Sequence, residues 1–397
     1  MKLLEFKQFN NSDEPRSLNK KKVIVVIVLA VLLLFSIIIG IIYKNNQNVR
    51  DFMDQYLFFK HIKDSDLASI NIEDDKSIST FAFNNYVAVL ENNKLKFYNS
   101  SGKEAETFDV NINSPIFAAQ DNYLVIAEKG QQKVYLFKNK KMVWDKTVEG
   151  QISRVNVNEN GYVSIVVSGT SYKSVITTYS ENGAEVFKTF LSNTVVIDAD
   201  ISKDNKYLSF CEMDLSGTVI ESKVKTISID KAKQDPANAI IYTYQIPVNS
   251  LVTNIEYHEK DELICLCDKN IYSLKNGAVN TLTDINESNV TFSGINLSKS
   301  YFKIIEDKFG INNQSSKVEI CNTSSKKTHT YTIKGIAKNV YATSGVIAVN
   351  LGTEVYFINE NGGLIKKLTT SQEVKNVVIS NNIAGIIYRN KIEFLGL

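Results

Sequence analysis

The sequence predicts an all-β protein, an eight-bladed β-propeller of four-stranded antiparallel blades, preceded by one transmembrane helix and a short amphipathic stalk helix. Three observations predict this fold. An uncharged stretch runs from Val23 to Tyr43, and beyond it a unit of four short strands recurs about every 42 residues. An extra strand also precedes the first four-strand unit, and the last unit has only three strands. The extra strand can complete the last unit and so close a ring.

Residues 1–22 are predicted to be a cytoplasmic basic tail and residues 23–43 a transmembrane helix. At about 1.5 Å per residue this stretch spans roughly 31 Å, which matches the hydrocarbon core of a bilayer. The tail holds six Lys and Arg against three acidic residues, whereas Lys44 is the only basic residue between the helix and Arg50. This bias predicts a cytoplasmic N-terminus and an extracellular C-terminal domain at the cell membrane. A cleaved signal peptide remains the alternative, although its apolar region is normally shorter and precedes a small-residue cleavage site.

Residues 44–64 are predicted to be an amphipathic stalk, because apolar residues recur there mostly at spacings of three and four. These residues are Val49, Phe52, Met53, Tyr56, Leu57, Phe59 and Ile62. The membrane surface, a partner stalk and the following domain are the three surfaces that this apolar face can cover.

Residues 65–397 are predicted to form the propeller. Each unit has a short strand, a strongly apolar second strand, a third strand, and a hairpin containing Asn or Gly before the fourth. The apolar second strand occurs eight times, at 85–91, 122–128, 161–167, 206–212, 262–268, 301–307, 346–352 and 383–389. The last unit has only three strands, and residues 67–72 (LASINI) are predicted to supply its fourth. Such pairing closes the ring and leaves no raw sheet edge at either terminus.

Composition excludes nucleic acid as a partner, since residues 23–397 carry 39 basic and 40 acidic residues. The four cysteines, Cys211, Cys265, Cys267 and Cys321, and three scattered histidines lack the spacing of a zinc site. Buried free thiols are the expectation, with a Cys211–Cys267 bridge as the alternative. We expect no metal and no cofactor.

The inner strands offer a candidate channel-mouth ring. The equivalent position of each inner strand carries a polar residue in six of the eight units: Thr80, Arg154, Asp198, Asn254, Asn339 and Asn376. Arg154 and Asp198 lie on neighbouring blades and can pair with each other. The ring suits a hydrated channel or a bound ligand, and Asn cannot serve as a general base.

A basic tail, one anchor, a stalk and hairpins such as FYNSSGK (97–103) and FINENGG (357–363) together resemble a family of membrane-tethered propeller proteins from clostridia-type Firmicutes. The resemblance covers nearly the whole chain and implies the fold rather than an activity. The repeats are more remotely similar to quinoprotein-like propellers, which include the outer-membrane assembly scaffold lipoprotein. The tryptophan docking motif of that group is absent, because Trp144 is the only Trp, so no cofactor is implied.

The sequence therefore predicts a non-enzymatic envelope protein, a propeller outside the cytoplasmic membrane that binds a protein or cell-wall partner. One alternative is an extracellular hydrolase or lyase with a site in the channel, for which Asp198 and Arg154 are the available residues. The other is an envelope sensor or regulator that acts through the cytoplasmic tail.

Overall fold

The computed structural model describes residues 20–73, 78–169, 171–218, 220–247, 250–309 and 313–397. The chain divides into two compact units, of which the first ends at Phe59 and the second begins at Lys60. Most of the predicted cytoplasmic tail, residues 1–19, lies outside the described residues.

The first unit contains two helices, α1 (Lys20–Asn45) and α2 (Gln47–Tyr56). Among the described residues, the segment Ile24–Asn45 of α1 is the one helix that is long and apolar enough to cross a membrane. Asn46 separates the two helices and caps α2, because its side chain accepts a hydrogen bond from the Val49 backbone N–H at 3.2 Å. Within residues 44–64, where an amphipathic stalk is predicted, the helix α2 covers Gln47–Tyr56 only.

The second unit is an eight-bladed propeller of four-stranded antiparallel blades, as the sequence predicts. Blades 1 to 7 each take four consecutive strands, and we name the strands in chain order. Blade 1 has β3 (Ser79–Phe83), β4 (Tyr86–Glu91), β5 (Lys94–Tyr98) and β6 (Glu104–Asp109); blade 2 has β7 (Pro115–Gln120), β8 (Tyr123–Glu128), β9 (Lys133–Lys138) and β10 (Lys141–Thr147); blade 3 has β11 (Gln151–Val157), β12 (Val163–Ser168), β13 (Ser174–Tyr179) and β14 (Glu185–Leu191); blade 4 has β15 (Val195–Ile201), β16 (Tyr207–Asp214), β17 (Glu221–Ser228) and β18 (Ile240–Gln245).

The same order continues to the C-terminus. Blade 5 has β19 (Val252–Tyr257), β20 (Leu263–Cys267), β21 (Asn270–Lys275) and β22 (Ala278–Asp284); blade 6 has β23 (Val290–Gly294), β24 (Ser300–Phe309), β25 (Asn313–Asn322) and β26 (Thr328–Lys334); blade 7 has β27 (Asn339–Thr343), β28 (Val346–Asn350), β29 (Glu354–Asn359) and β30 (Leu364–Thr369); blade 8 has β31 (Asn376–Ile379), β32 (Ile383–Ile387) and β33 (Lys391–Gly396). A short helix, α3 (Ile229–Ala232), and a 3-10 turn at Pro236–Asn238 fill the long connection within blade 4.

Blade 8 is completed from the other end of the chain. Strand β2 (Ala68–Asn71) pairs antiparallel with β33, with Ile70 opposite Ile392 and Ala68 opposite Phe394. This is the closure predicted for residues 67–72, and it is confirmed. It removes the exposed edge that β33 would otherwise present.

A second N-terminal strand was not predicted. Strand β1 (His61–Lys63) adds in parallel to the outer edge of β30, so that blade 7 has five strands. A 3-10 turn at Asp64–Asp66 connects it to β2, and the Asp64 carboxylate accepts hydrogen bonds from the Ser371 backbone N–H at 3.2 Å and the Thr370 hydroxyl at 3.1 Å. The incoming chain therefore fastens blades 7 and 8 together before the first blade begins.

The core consists of apolar clusters between neighbouring blades. Within the described residues there are eight such clusters, one at each blade-to-blade seam, including a seam in which Val378 and Phe394 of blade 8 pack with Val87 and Tyr98 of blade 1. Each blade has two buried faces, which is why its second and third strands are apolar almost throughout.

Candidate functional site

The first strand of every blade is its innermost strand, and these strands surround a central channel. The channel holds a cavity of ≈ 400 Å³, which is lined from blades 1 to 7. Ligand-binding cavities in proteins typically measure about 300 to 1,000 Å³. The cavity is therefore large enough for a small molecule or for part of a larger partner.

The inner strands of blades 3 to 6 share a β-bulge that we did not predict from the sequence. In each of them the pairing with the second strand shifts by one residue, immediately before Arg154, Asp198, Asn254 and Phe292 respectively. The inner strands of blades 1, 2, 7 and 8 pair without a shift. A bulge of this kind re-aims the side chains that follow it.

Beyond the bulge, strand alternation brings a second layer of polar residues to the cavity. Asn156, Asp200 and Glu256 lie two residues after Arg154, Asp198 and Asn254, and all six line the cavity. Successive side chains of a strand point to opposite faces, so residues i and i+2 share one. One half of the channel wall is thus polar and charged over two layers.

The opposite half of the wall is mainly apolar, although Gln120, Thr343 and Ser344 also line the cavity there. Ala82, Ala118 and Tyr341 occupy blades 1, 2 and 7 there, and Phe117 and Val340 also line the cavity. The channel therefore has two chemically different sides, which can orient an occupant that has one polar and one apolar surface.

Asp198 and Arg154 form the ion pair that the sequence allows. Arg154 Nε donates to Asp198 Oδ1 at 2.8 Å, and the same oxygen accepts the Ala199 backbone N–H at 3.0 Å. The other oxygen, Oδ2, accepts the Ile255 backbone N–H at 3.0 Å. Asp198 is buried, whereas the Arg154 side chain is 43% exposed to the channel.

Asp200 repeats this arrangement one layer further along. Its Oδ1 accepts from Asn156 Nδ2 and from the Ile201 backbone N–H, both at 2.9 Å, and its Oδ2 accepts the Tyr257 backbone N–H at 2.8 Å. Both aspartates of β15 therefore join the inner strands of blades 3, 4 and 5. Hydrogen bonds of this kind, between a carboxylate and backbone N–H groups, are among the stronger ones in proteins.

The pKa of Asp200 is raised to about 7, chiefly by burial; the nearby Asp198 charge adds to this rise, and the Tyr257 backbone N–H opposes it. Burial also raises the pKa of Glu256 well above its ordinary value, with Asp200 adding to the effect. Glu256 Oε2 accepts a hydrogen bond from Asn296 Nδ2 of blade 6 at 2.9 Å. These two carboxyl groups have the most perturbed acidity in the channel wall.

A second cavity of ≈ 230 Å³ continues from the first towards the loops that follow the inner strands. Ala82, Gln120, Thr343 and Ser344 line both cavities. The additional lining is rich in small polar residues: Asn84, Asp121, Asn122, Ser380, Asn381 and Asn382. The channel thus leads to a mouth that offers amide and hydroxyl groups.

The structure brings together three of the six predicted ring residues. Arg154, Asp198 and Asn254 line the cavity, but Thr80, Asn339 and Asn376 do not.

The other three lie in or beside the first residues of unbulged strands, at the opposite end from the mouth. Thr80 is opposite Val89 in β3. Asn339 Nδ2 donates to the Lys375 carbonyl at 3.3 Å, and Asn376 Oδ1 accepts the Val377 N–H at 2.9 Å. Of the six positions, the three that directly follow a bulge, in blades 3 to 5, lie at the cavity, and the three on unbulged strands do not.

We did not predict Asn156, Asp200 and Glu256 as channel residues, although their spacing in the sequence indicates this position. They follow the predicted residues at the strand period of two, in the segments RVN, DAD and NIE. No group of three or more His, Cys, Asp or Glu side chains suited to a metal ion occurs in the described part of the chain.

All four cysteines are free thiols, and Cys211, Cys265 and Cys267 are buried. The Cys265 and Cys267 sulfur atoms are 3.8 Å apart on one strand. Burial raises the pKa of Cys211. The alternative of a Cys211–Cys267 bridge is not realised.

The fold and the channel define this chain as a closed eight-bladed β-propeller protein with an apolar helix ahead of the ring. The sequence belongs to a family of unknown function, DUF5711, whose profile matches residues 61–397. A search among curated proteins finds no match.

Solved propeller structures are similar to the chain in fold. They include the C-terminal WD40 domain of Sif2, with a TM-score of 0.54 at 10% identity over 83% of this chain and 99% of that one. A eukaryotic initiation factor gives 0.50 at 13% identity over 81% of this chain and 86% of that one. BamB from Moraxella catarrhalis gives 0.47 at 12% identity over 83% and 99%. At identities this low the likeness is one of fold alone.

Proposed function

We propose that this protein is a membrane-anchored, extracytoplasmic binding module whose propeller holds a protein or cell-wall partner at the channel mouth. The helix α1 anchors it in the cell membrane with the N-terminus in the cytoplasm. The basic residues ahead of α1 support that orientation.

The proposal rests on the hydrogen bonds that the channel carboxylates Asp198 and Asp200 accept. Asp198 and Asp200 each accept hydrogen bonds from two backbone N–H groups and from a side chain of blade 3. A carboxylate held in this way fixes the geometry of the wall and is poorly placed to attack a bond. The wall and the mouth then offer the occupant amide, hydroxyl and guanidinium groups on a rigid frame, which suits recognition.

The proposal is tested by filling the cavity. Ala118→Trp places a large side chain at the apolar wall of the channel, and Val143→Trp makes the same enlargement at an exposed position on the outer strand of the same blade. Full-length protein, solubilised from native membranes, is assayed for co-purifying envelope proteins and for co-sedimentation with isolated peptidoglycan. We expect Ala118→Trp to lose the partner and Val143→Trp to retain it, with both variants unfolding at the wild-type temperature. Equal recovery by the two variants contradicts the proposal.

One observation favours a second candidate, a hydrolase or lyase acting in the channel. A carboxyl group with a pKa of about 7, as at Asp200, or well above its ordinary value, as at Glu256, is suited to general acid–base catalysis near neutral pH. Glu256→Gln preserves the acceptor for Asn296 and removes the titration. If purified protein turns over a glycan or an ester and this variant does not, the second candidate replaces the first.

A further inference from the structure

The segment that follows the membrane helix is folded back against the end of that helix. Asn46 alone separates α1 from α2, so the N-terminus of α2 lies at the point where α1 ends. The C-terminal end of α2 is also tied there. Tyr43 in the last turns of α1 donates its hydroxyl to Asp54 Oδ1 at 2.8 Å, and its ring contacts Phe58 edge-on with centroids 5.9 Å apart.

Tyr43 is the last residue of the uncharged stretch. In a bilayer that α1 spans, this residue marks the level at which hydrocarbon gives way to head groups. Both ends of α2 are held near Tyr43, so the helix does not lead away from that level.

The residues presented by this turn and helix are large and apolar. Phe52 is 58% exposed and Tyr56 57%, with ring centroids 5.0 Å apart, and Phe59 is 78% exposed. Leu57 and Phe58 are exposed as well. Phenylalanine and tyrosine rings at the end of a membrane helix are the groups that settle at a membrane–water interface.

We propose that α2 and the following residues up to Phe59 form an interfacial membrane hook, in which Phe52, Tyr56 and Phe59 insert into the outer surface of the phospholipid bilayer. The inference rests on the proposed membrane anchoring by α1. Its occupant is the lipid interface itself, because the exposed aromatic residues follow the span directly and α2 is tied back to the end of α1 through Tyr43. Residues 46–59 contain one basic residue, Arg50, against Asp51 and Asp54. Insertion therefore depends on apolar contact and not on anionic head groups.

Depth-dependent fluorescence quenching tests the hook in the full chain. Trp144 is the only tryptophan, so a Trp144→Phe background permits single probes at Tyr56→Trp and, on the polar side of the same helix, Gln55→Trp. A third probe, Leu33→Trp, lies in the middle of α1. The protein is reconstituted into phosphatidylcholine vesicles that carry bromine at the upper or the lower acyl positions.

We expect Tyr56→Trp to emit at shorter wavelength than Gln55→Trp and to lose intensity with lipid brominated near the head group. Leu33→Trp should be quenched most by the deeper bromines. Adding anionic lipid or salt should leave the Tyr56→Trp signal unchanged.

Each other outcome identifies a different failure. A Tyr56→Trp probe that is unquenched while Leu33→Trp is quenched overturns the hook and leaves the anchor intact, whether its emission indicates water or a protein surface. If Leu33→Trp is also unquenched, the membrane anchoring has failed as well. Circular dichroism of each variant verifies that the propeller is folded.

Discussion

Arg154 Nε lies 2.8 Å from Asp198 Oδ1 across the seam between blades 3 and 4, and the second oxygen of Asp198 accepts a backbone N–H from blade 5. One carboxylate thus connects three consecutive inner strands. This relationship gives the two charged residues a structural use in the channel wall.

Asp198→Ala should destabilise the propeller by about 2–4 kcal/mol, because it leaves the Ala199 and Ile255 backbone N–H groups without their acceptor and removes the partner of Arg154. Arg154→Ala should cost about 1 kcal/mol, since the Arg154 side chain is 43% exposed and Asp198 retains its two backbone donors. Denaturant unfolding of the full chain in detergent measures both.

The matched control is Asp145→Ala, which removes an exposed ion pair with Lys133 at 3.1 Å. We expect a change below about 1 kcal/mol there. An Asp198→Ala variant no less stable than Asp145→Ala would contradict a structural role for the channel carboxylate.

Asp200 should make stability depend on pH. Its pKa is raised in the folded protein from 3.8 to about 7, so between these values the folded state holds a proton that the unfolded state has lost. Stability contributed by this group is therefore present at low pH and falls as the pH rises towards 7. The difference in unfolding temperature between wild type and Asp200→Asn should shift in favour of the Asp200→Asn variant as the pH rises across that window.

Two neighbours titrate in the same experiment, and both remain in the two proteins compared. Glu256 acts in the same direction as Asp200, because burial raises its pKa. His258 acts in the opposite direction, since burial lowers its pKa from 6.5 to about 4 and stability rises with pH between those values. A flat difference between wild type and Asp200→Asn from pH 4 to 8 would refute the assignment to Asp200.

Closure of the ring by β2 should contribute measurably to stability. Ile70 packs on the apolar cluster between blades 8 and 1, and Ile70→Ala should cost about 1–2 kcal/mol because the residue is half-buried. Ser69→Ala, on the exposed face of the same strand, should cost almost nothing. Both variants are compared by their unfolding temperature and by the protease resistance of residues 383–397. If Ile70→Ala and Ser69→Ala gave equal values, β2 would not contribute to stability.

Thiol accessibility provides a test of the fold around blades 4 to 6. Cys211, Cys265 and Cys267 are buried and Cys321 is partly exposed. The native protein should therefore react with an aromatic disulfide reagent at no more than one thiol, and denaturant should release the other three. Cys321→Ser should abolish the native reaction; a remaining fast thiol in that variant would show that the seam between blades 4 and 5 opens.

The propeller could be predicted because the sequence patterns that specify a blade are local and occur in every repeat. Each blade carries its own alternation and turn residues, such as Gly102 and Gly183 with φ of +71° and +80°, and β2 alternates in the same way. Strand β1 has three residues and a parallel partner 306 positions away, as His61 opposite Lys367 shows. So short a strand has no detectable period, and Ile62 happens to continue the helical spacing of α2.

The channel wall was only half predictable for a similar reason. The position that carries Arg154, Asp198 and Asn254 can be found by aligning the repeats. The bulges in the inner strands of blades 3 to 6 arise from pairing between strands, which the sequence of a single strand does not encode. Asp200 and Glu256 were accessible from the two-residue period, but their pKa values depend on burial that appears only when three blades meet.

Photo-crosslinking at the channel mouth tests the central claim most directly. A benzoylphenylalanine residue replaces Gln120, which lines both cavities, and in a control replaces the exposed Val143 on the outer strand of the same blade. Full-length protein is irradiated in intact cells. The account predicts a discrete adduct with one envelope protein or wall fragment from position 120 and none from position 143. Adducts from both positions alike, or from neither in a folded and correctly inserted protein, would contradict binding at the channel mouth.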